Sequence, residues 1–355
     1  MNSSGAGPII LITGGSGFLG RAVLRELAAT SPVLSPCEIR ILDLRPPPPD
    51  PEIAGLPIVW MKGDICDPAA VATAVRGVDI VLHAAALVDW GTHPAAMVRQ
   101  VNTTAVQTMV DACIAEKVRT LVYTSSLDAI FTGKPIVDAD EDWPVPKSSS
   151  SNYGKSKAAA EQIVRGANGK ELSTVVLRPS GIYGEWDPYH ISNLAAQAKS
   201  GFYARIGNGR TRCMHIYVGN AAHAHLLAAK ALHEGNRASA GKVYFLVDSP
   251  PKNFFVFLER ILEKAGVRIW PKNLWIPGWV LYPFALAAEA AAFFLRPVVR
   301  IHPKLSRFAI SYICNDFTLK GDRAAIDFGF LPKYTEDAAV ERSAAWLRTH
   351  GPARL

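Results

Sequence analysis

The feature that most constrains the fold is a glycine-rich turn near the N-terminus, where a first strand should end. An apolar run at residues 9–12 leads into a G-x-x-G-x-x-G segment made of Gly14, Gly15, Ser16, Gly17, Phe18, Leu19 and Gly20. Such a turn uses glycine for a tight bend, a bare backbone beside a pyrophosphate, and close packing of strand on helix. The phosphates would lie at the positive N-terminus of the following helix. We therefore predict that residues 14–20 bind a dinucleotide, although glycine also collects in turns for steric reasons alone.

Short β-branched runs alternate with helical patterns through the first half of the chain, which indicates βαβ units in a parallel sheet. The predicted strands are Ile9–Thr13, Glu38–Asp43, Ile58–Lys62, Asp79–Ala84, Thr120–Ser125 and Ser173–Arg178. The predicted crossover helices are Arg21–Ala29, Ala69–Arg76, Ala95–Glu116 and Tyr153–Arg165. The expected fold is α/β, a Rossmann-type doubly wound parallel sheet. Residues 1–180 would form the dinucleotide-binding domain, and residues 181–355 a smaller substrate-binding lobe intertwined with it.

The composition of the chain bears on its cellular compartment and on which metals or macromolecules it could bind. The five cysteines are far apart and lack C-x-x-C spacing, and the histidines form no cluster with metal spacing, so we expect neither disulfides nor a metal site. The start of the chain shows no secretory signal pattern, which favours the cytoplasm or the cytoplasmic side of a membrane. The formal net charge of +7 comes without basic runs. A nucleic-acid partner is therefore not expected.

A long apolar segment in the second half is the next most informative feature. Residues 273–288 carry no charge, and apolar chain continues after Glu289 to Leu295. Pro277, Pro283 and Glu289 interrupt it, which argues against a simple transmembrane helix. Aromatic side chains at its edge (Trp275, Trp279 and Tyr282) favour the headgroup level of a bilayer. We expect residues 273–301 to associate with a membrane surface; a buried helix or an apolar lid over a substrate pocket remains the alternative.

Three strand ends carry candidate cofactor contacts. Asp43 ends the second predicted strand, where a carboxylate can accept hydrogen bonds from the adenine ribose and repel a 2′-phosphate. This favours NAD over NADP, although Arg45, two residues further on, could reduce the preference for NAD. Asp64 and Ile65 follow the third strand and would contact adenine, or Asp64 would only cap a turn. The small residues at the fourth strand end would let a flat cofactor lie against the backbone, or would serve packing; they are Ala84, Ala85 and Ala86.

The decisive constellation is Y-x-x-x-K at Tyr153 and Lys157. On a helix the two side chains lie one turn apart on the same face, so that the ammonium can stabilise a phenolate and lower its pKa. An activated phenol is an acid or base for a carbinol while hydride moves between the carbinol carbon and a nicotinamide. At the end of the fifth strand, Ser126 would orient the substrate oxygen. Ser125 is the alternative, because the doubled serine leaves the register ambiguous by one.

At these residues the chain resembles the extended short-chain dehydrogenase/reductases. Arg178–Gly184 is similar to their R-P-x-x-x-Y-G segment, which implies that Pro179 and Ser180 line the cofactor. The resemblance also implies that Lys157 holds the nicotinamide ribose and that Asn102 braces the active site. Three later segments resemble the 3β-hydroxysteroid dehydrogenase family: His215–Asn220 with Ala224–Ala229, Phe294–Pro297 after the apolar segment, and Asp316–Thr318.

The resemblance implies NAD-dependent oxidation of a steroid or sterol 3β-hydroxyl to the 3-ketone, with frequent membrane attachment, and it allows a homodimer. Some members also isomerise a Δ5 double bond to Δ4, a role for which Tyr244 and Asp248 match proposed positions; an ordinary carboxylate at a strand end is the favoured alternative. Others oxidise 4α-carboxysterols, whose keto products lose carbon dioxide. A reductase of 2-alkyl-3-oxoalkanoates and an NAD-binding sensor or scaffold without turnover stay open as alternatives.

Overall fold

The computed structural model describes residues 7–147, 149–295 and 306–351. Its strands are β1 (Ile9–Thr13), β2 (Glu38–Asp43), β3 (Ile58–Lys62), β4 (Ile80–His83), β5 (Thr120–Thr124), β6 (Ile136–Ala139), β7 (Ser173–Pro179), β8 (Gly181–Tyr183), β9 (Arg205–Ile206), β10 (His215–Tyr217), β11 (Val243–Leu246), β12 (Trp275–Ile276) and β13 (Phe317–Leu319). Its α-helices are α1 (Phe18–Leu27), α2 (Pro68–Val75), α3 (Ala95–Arg99), α4 (Ala105–Ala115), α5 (Asn152–Gly166), α6 (Ile191–Lys199), α7 (Val218–His233), α8 (Phe254–Lys264), α9 (Gly278–Leu295), α10 (Arg307–Ile313), α11 (Asp322–Phe328) and α12 (Glu336–His350).

Within the described residues, seven parallel strands form one large sheet in the order β11-β7-β5-β4-β1-β2-β3. Every residue of β4 and β5 is buried, as in parallel sheets that are covered on both faces. Helices α1 and α7 pack on one face, whereas α2, α4 and α5 pack on the other. The predicted α/β class with a doubly wound parallel sheet is confirmed.

The strand order reverses between β1 and β4, because the chain returns to the centre of the sheet after β3. Thr13 pairs with Leu42 on one side and with His83 on the other, so the carboxyl ends of β1, β2 and β4 lie level. In such sheets a crevice opens at this point between connections that leave in opposite directions. This edge therefore carries the site described below.

The predicted helix Ala95–Glu116 is interrupted. A π-helical turn, Gln100–Thr104, separates α3 from α4. The wider turn leaves Asn102 buried, with its amide bonded to both backbone groups of Leu87 and to the hydroxyl of Ser156. Hydrogen bonds to the loop at Leu87 thus compensate for the irregular backbone of the π-helical turn. The periodicity of apolar residues in the sequence does not reveal such a bulge.

The chain beyond residue 180 contributes to both parts of the fold. It supplies β11 at one edge of the main sheet and α7 on its face. It also supplies a cap over the carboxyl edge, where Phe317 of β13 packs against Phe131 with ring centroids 5.0 Å apart. This cap encloses the far end of the crevice.

The apolar segment forms α9, which contains Pro283. Ala285 is buried, whereas Trp279 and Phe284 are 78% and 67% exposed. Glu289 pairs with Arg307 at 2.7 Å, which ties α9 to α10. Among the described residues, no helix has both the length and the apolar character to cross a membrane. Residues 296–301 of the predicted segment, including Arg296 and Pro297, lie outside the described residues.

Candidate active site

A cleft of about 500 Å³ opens at the carboxyl edge of the sheet, at the reversal between β1 and β4. Most of the residues selected from the sequence line it: Gly14, Gly17, Phe18, Leu19, Gly20, Asp43, Asp64, Ile65, Ala84, Ala85, Ala86, Ser125, Ser126, Tyr153, Lys157, Pro179 and Ser180. Gly15 and Ser16 belong to the same turn but do not line the cleft. A single cavity therefore joins the glycine turn to the Y-x-x-x-K pair.

The glycine turn has specific steric requirements. Gly14 has a φ of +70°, and a Cβ there would lie 2.9 Å from the backbone of Ala85. A Cβ on Gly20 would lie 2.3 Å from the carbonyl oxygen of Gly14. A Cβ on Gly15 would instead meet the side chain of Ile41 at 2.7 Å. Glycine at 14 and 20 thus lets the turn close against β4 and α1, and position 15 serves packing on β2.

Asp43 lies at the end of β2 and is fixed by the turn. Its carboxylate accepts hydrogen bonds from the backbone N–H of Ser16 at 3.1 Å and of Arg45 at 3.3 Å. The hydroxyl of Ser16 donates to the carbonyl of Arg45 at 2.7 Å. Ser16 therefore positions Asp43. The carboxylate of Asp64 accepts from the backbone N–H of Cys66 at 2.9 Å, so this residue caps a turn and also lines the cleft.

Helix α5 presents Tyr153 and Lys157 on one buried face; they are 7% and 2% exposed. Nζ of Lys157 donates to the carbonyl of Thr124 at 2.8 Å and lies 5.9 Å from the ring centroid of Tyr153. Burial lowers the pKa of Lys157 to about 7, although the carboxylates of Glu161 and Asp128 act in the opposite direction. Lys157 therefore titrates near neutral pH.

Burial raises the pKa of Tyr153 above its ordinary value, and the negative charge of Asp128 raises it further. That Lys157 lowers this pKa stays a prediction, because among the protein's own groups burial determines the direction of the shift. The reason is that the low-dielectric surroundings penalise the phenolate and the ammonium alike. Within the protein alone, Tyr153 is a neutral phenol at physiological pH.

The two serines at the end of β5 have different surroundings. The hydroxyl of Ser125 donates to Glu161 at 2.5 Å, and Glu161 forms a fully buried ion pair with Arg178. The hydroxyl of Ser126 donates to Asp128 at 2.7 Å, and Ser126 lines the same cleft as Tyr153, where it lowers the pKa of the phenol against the effect of burial. The geometry therefore favours Ser126 as the serine beside the reacting oxygen, and Ser125 anchors β5 to α5.

Sequence reasoning missed several cleft residues. Asp128, Tyr189, His190, Trp90 and Tyr312 all line the cavity. Asp128 follows Ser126 by only two positions, so of these residues it was the one that the sequence could most easily have indicated. His190 lies outside every motif identified in the sequence, and Tyr312 comes from α10, which only the tertiary fold brings to the site.

His190 has a defined hydrogen-bond partner. Its Nδ1 lies 3.1 Å from the carbonyl oxygen of Ile182 and 3.5 Å from a carboxylate oxygen of Asp187. Burial lowers the pKa of His190, but Asp187 and the Ile182 carbonyl outweigh that effect, and the pKa is raised. Nε2, the other ring nitrogen of His190, is therefore available for a hydrogen bond to a molecule bound in the cleft.

Tyr244 and Asp248, the positions matched to an isomerising proton carrier, do not line the cleft. Tyr244 is buried and donates to Asp327 at 2.6 Å. Asp248 accepts from the backbone of Tyr217 and the amide of Asn220, each at 2.7 Å. These hydrogen bonds are those of ordinary structural groups, and a role of the two residues in isomerisation stays a prediction.

Residues 11–274 match the 3-beta hydroxysteroid dehydrogenase/isomerase family. This chain belongs to that family. The enzyme named 3 beta-hydroxysteroid dehydrogenase type 7 of Mus musculus is 31% identical, with 98% of this chain and 97% of the relative covered. The 3 beta-hydroxysteroid dehydrogenase/Delta 5-->4-isomerase of Vaccinia virus (strain Ankara) is also 31% identical, over 96% of this chain and 98% of the relative.

Other relatives carry different names. The 2-alkyl-3-oxoalkanoate reductase of Stenotrophomonas maltophilia (strain K279a) is 32% identical over 95% of this chain and 98% of its own. Among solved structures, gox2253 is 27% identical with a TM-score of 0.74, covering 98% of this chain and 99% of that one. The dTDP-glucose 4,6-dehydratase DesIV from Streptomyces venezuelae is 19% identical with a TM-score of 0.75, over 96% and 97%, and shares the fold. The protein is thus an oxidoreductase of the short-chain dehydrogenase/reductase type.

Proposed function

We propose that this protein oxidises the 3β-hydroxyl of a steroid or sterol to the 3-ketone and transfers the hydride to NAD. One observation carries the proposal: a single cleft has the glycine turn and Asp43 at one end and the Tyr153–Ser126 pair at the other. The first end fits a dinucleotide and the second fits proton exchange with a carbinol oxygen. Family membership supports the choice of a 3β-hydroxyl.

The residues present fit NAD. The Cβ-free cradle at Gly14 and Gly20 lets the backbone approach a pyrophosphate at the N-terminus of α1. The carboxylate of Asp43 suits ribose hydroxyls and repels a 2′-phosphate, which is the argument for NAD over NADP. The solved structure of DesIV, which has the same fold, contains NAD. When bound, NAD would supply the hydride acceptor.

The chain's own residues would then act on the substrate oxygen. Tyr153 would exchange the proton, and Ser126, which lines the same cleft, would orient the substrate oxygen. Lys157 lies beneath this pair with its ammonium fixed by the carbonyl of Thr124 and would reach the nicotinamide ribose. Pro179 and Ser180, directly after β7, would flank the nicotinamide.

The far end of the cleft suits a rigid apolar molecule. Trp90 and Tyr312 line it, and their rings pack edge to face with centroids 5.4 Å apart. Phe131 and Phe308 support Tyr312 from behind at 5.4 and 5.9 Å. Such an aromatic wall would bury the rings of a steroid, while the few polar groups at the reacting end fix its orientation.

We also propose that α9 rests on a membrane surface. Exposed aromatic and aliphatic side chains on this helix would enter the headgroup boundary; they are Trp279, Tyr282, Phe284 and Leu286. A sterol is dissolved in the bilayer, so a protein lying on that surface would collect it directly. A cytoplasmic position, or one on the cytoplasmic side of a membrane, stays a prediction.

Two variants of the proposal differ in the substrate. A 4α-carboxysterol would give a β-keto acid that loses carbon dioxide with the ketone as electron sink, so no further residue is needed. Reduction of a 2-alkyl-3-oxoalkanoate is the second candidate, favoured by the 32% identity with the reductase of Stenotrophomonas maltophilia (strain K279a). Both would use the same Tyr153 and Ser126.

The test is NADH formation with cholesterol, pregnenolone, dehydroepiandrosterone and a 4α-carboxysterol, with products identified by mass. A 2-alkyl-3-oxoalkanoate with NADH or NADPH is assayed in parallel. A 3-keto product from a steroid supports the proposal, and a mass lower by carbon dioxide identifies the decarboxylating variant. Turnover of the oxoalkanoate and of no steroid would reject the steroid as the substrate in favour of a 2-alkyl-3-oxoalkanoate.

A further inference from the structure

His190 is a base in the cleft that none of the roles above uses. It directly precedes α6 and lines the cleft together with Tyr189. The buried carboxylate of Asp187 holds this loop, since it accepts from the backbone N–H of Tyr189 at 2.7 Å and of His190 at 3.0 Å. The backbone that carries the imidazole is therefore fixed.

One nitrogen of the imidazole is committed within the protein. Nδ1 lies 3.1 Å from the carbonyl oxygen of Ile182, and because a carbonyl only accepts, Nδ1 carries the hydrogen of this bond. The ring of Phe254 packs edge to face on the imidazole with centroids 5.6 Å apart. Among the described residues, none makes a hydrogen bond to Nε2. Nε2 therefore accepts a hydrogen bond from a bound molecule when the ring is neutral and donates one when the ring is protonated.

The surroundings favour the protonated ring. The carboxylates of Asp187, 3.5 Å from Nδ1, and of Asp128 raise the pKa of His190 against the effect of burial. His215 on β10 carries no competing charge at neutral pH, because burial lowers its pKa to about 3. The titratable groups around this end of the cleft are Asp128, Tyr153, Lys157, Asp187, Tyr189, His215 and Tyr312.

The register of the sheet places His190 at the reacting end of the cleft. Ser126 follows β5 and Pro179 ends β7, and the pairing of these two strands puts both residues level. Ile182, whose carbonyl holds the imidazole, comes three residues after Pro179, which is at most about 10 Å of extended chain. His190 thus lies on the same side of the strand reversal as Ser126, away from the glycine turn.

His190 is also the base that is left for an anionic group of a substrate. Among the described residues that line the cleft, the basic ones are Lys157 and His190. Nζ of Lys157 donates to the carbonyl of Thr124 and is assigned above to the nicotinamide ribose. Asp128, the carboxylate at this end, accepts from the hydroxyl of Ser126 at 2.7 Å. A carboxylate on the substrate would therefore bind at Nε2 of His190.

The two variants of the proposed function share such a carboxylate. A 4α-carboxysterol and a 2-alkyl-3-oxoalkanoate both carry it on the carbon next to the reacting carbon. A neutral 3β-hydroxysteroid lacks this group and would leave the imidazolium desolvated and without an anion beside it.

We propose that the imidazolium of His190 binds a carboxylate on the carbon next to the reacting carbinol, so that the substrate oxidised is a β-hydroxy acid. This inference rests on the proposed function and narrows its substrate. His190 would contact the carboxylate and take no part in the transfer of hydride or proton. It should therefore act on KM more than on kcat.

The test uses two pairs of substrates with NAD, and the members of a pair differ by one charge. The first pair is a 4α-carboxysterol and its methyl ester, and the second is a 2-alkyl-3-hydroxyalkanoate and its methyl ester. In each pair that is oxidised, the wild type should prefer the acid.

His190→Asn keeps an amide donor for the carbonyl of Ile182 and removes the group at Nε2. The ratio of kcat/KM for the acid to that for the ester should fall at least about tenfold, mainly through KM, because a hydrogen bond to a charged group contributes at least this factor. The kcat for the ester should change little. His190→Gln, whose amide nitrogen reaches the position of Nε2, should restore part of the ratio.

His93→Asn is the matched control, because Nδ1 of His93 also lies beside a carboxylate, 3.0 Å from Asp89, but His93 is outside the cleft lining. It should keep the wild-type ratio. A wild type that oxidises ester and acid equally well, or a His190→Asn enzyme that keeps the preference for the acid, would overturn the proposal. If the hydroxyalkanoate pair alone is oxidised, the steroid of the proposed function is rejected, and that pair still decides the role of His190.

A second measurement needs no turnover. In protein labelled with ¹⁵N at histidine, the His190 resonances are assigned by their absence from His190→Asn. With NADH in place of NAD, the added acid cannot be oxidised, and it should raise the titration midpoint of His190 because a carboxylate favours the charged ring. The methyl ester should not raise it. The same midpoint with and without the acid would contradict the proposal.

Discussion

At the scale of single residues, the cleft combines a neutral phenol with a lysine of lowered pKa. Tyr153 and Lys157 lie where their spacing on one helix predicts. Their protonation is set by burial, which the spacing does not encode. The protonation states of the two groups therefore depend on the packing around them as well as on their spacing.

Tyr153→Phe removes the hydroxyl that exchanges the proton and leaves the ring in place. Hydride transfer should fall by at least about 100-fold, because general acid–base contributions are of this size or larger. Binding of NAD, measured by fluorescence titration, should change little. Turnover close to that of the wild type would reject Tyr153 as the acid–base group.

Asp43→Asn removes the charge that would repel a 2′-phosphate. The ratio of kcat/KM for NAD to that for NADP should drop at least about tenfold, which corresponds to about 1.4 kcal/mol. Asp64→Asn is the control, because this carboxylate also lines the cleft and caps a turn. It should affect the two cofactors equally; a similar loss of preference in both variants would mean that Asp43 does not discriminate.

At the scale of elements, α9 is unusual because it carries large exposed apolar side chains. Glu289 and Ala285 attach it to the protein. Among its described side chains, Trp279, Tyr282, Phe284 and Leu286 are exposed. This combination fits a helix that lies on a bilayer and does not cross it.

The double variant Trp279→Ser with Phe284→Ser should weaken co-sedimentation with phosphatidylcholine vesicles at least tenfold, because each large side chain contributes about 1.5–3 kcal/mol on burial. Phe202→Ser is the control, since Phe202 is 53% exposed on a different part of the surface. Unchanged sedimentation of the double variant would reject α9 as the membrane contact.

At the scale of the whole molecule, three buried histidines link stability to pH. Burial lowers the pKa of His83 and of His215 to about 3 and that of His225 to about 4, from an ordinary value of 6.5. Between pH 6.5 and about 4 the unfolded chain binds protons that the folded chain does not. The free energy of unfolding should therefore fall as the pH falls, by about 1.4 kcal/mol per pH unit for each of these groups.

Urea unfolding between pH 7 and 5 measures this slope. His215→Phe should flatten it by about one proton, because phenylalanine fills the stack on Phe257 without titrating. An equal slope in the variant and the wild type would show that His215 does not contribute to it.

Local pattern predicted much of the fold. The bounds of β1, β2 and β3 agree with the predicted strands, since an apolar β-branched run ended by a turn is specified by neighbouring residues. The order of the glycine turn, Asp43, the doubled serine and the Y-x-x-x-K pair likewise belongs to the sequence. Strand ends in a parallel sheet meet at one edge, so that order was enough to predict a common cleft.

The tertiary structure decided which residues that are far apart in the sequence contact one another. It turned Ser125 towards Glu161, which favours Ser126, and it placed Tyr244 and Asp248 outside the cleft lining. It brought Tyr312 from α10 into the site and placed Asp128 against Ser126. Local spacing determines which face of a strand or helix a side chain occupies. Burial, and therefore protonation and hydrogen-bond direction, depends on every element that packs around that face.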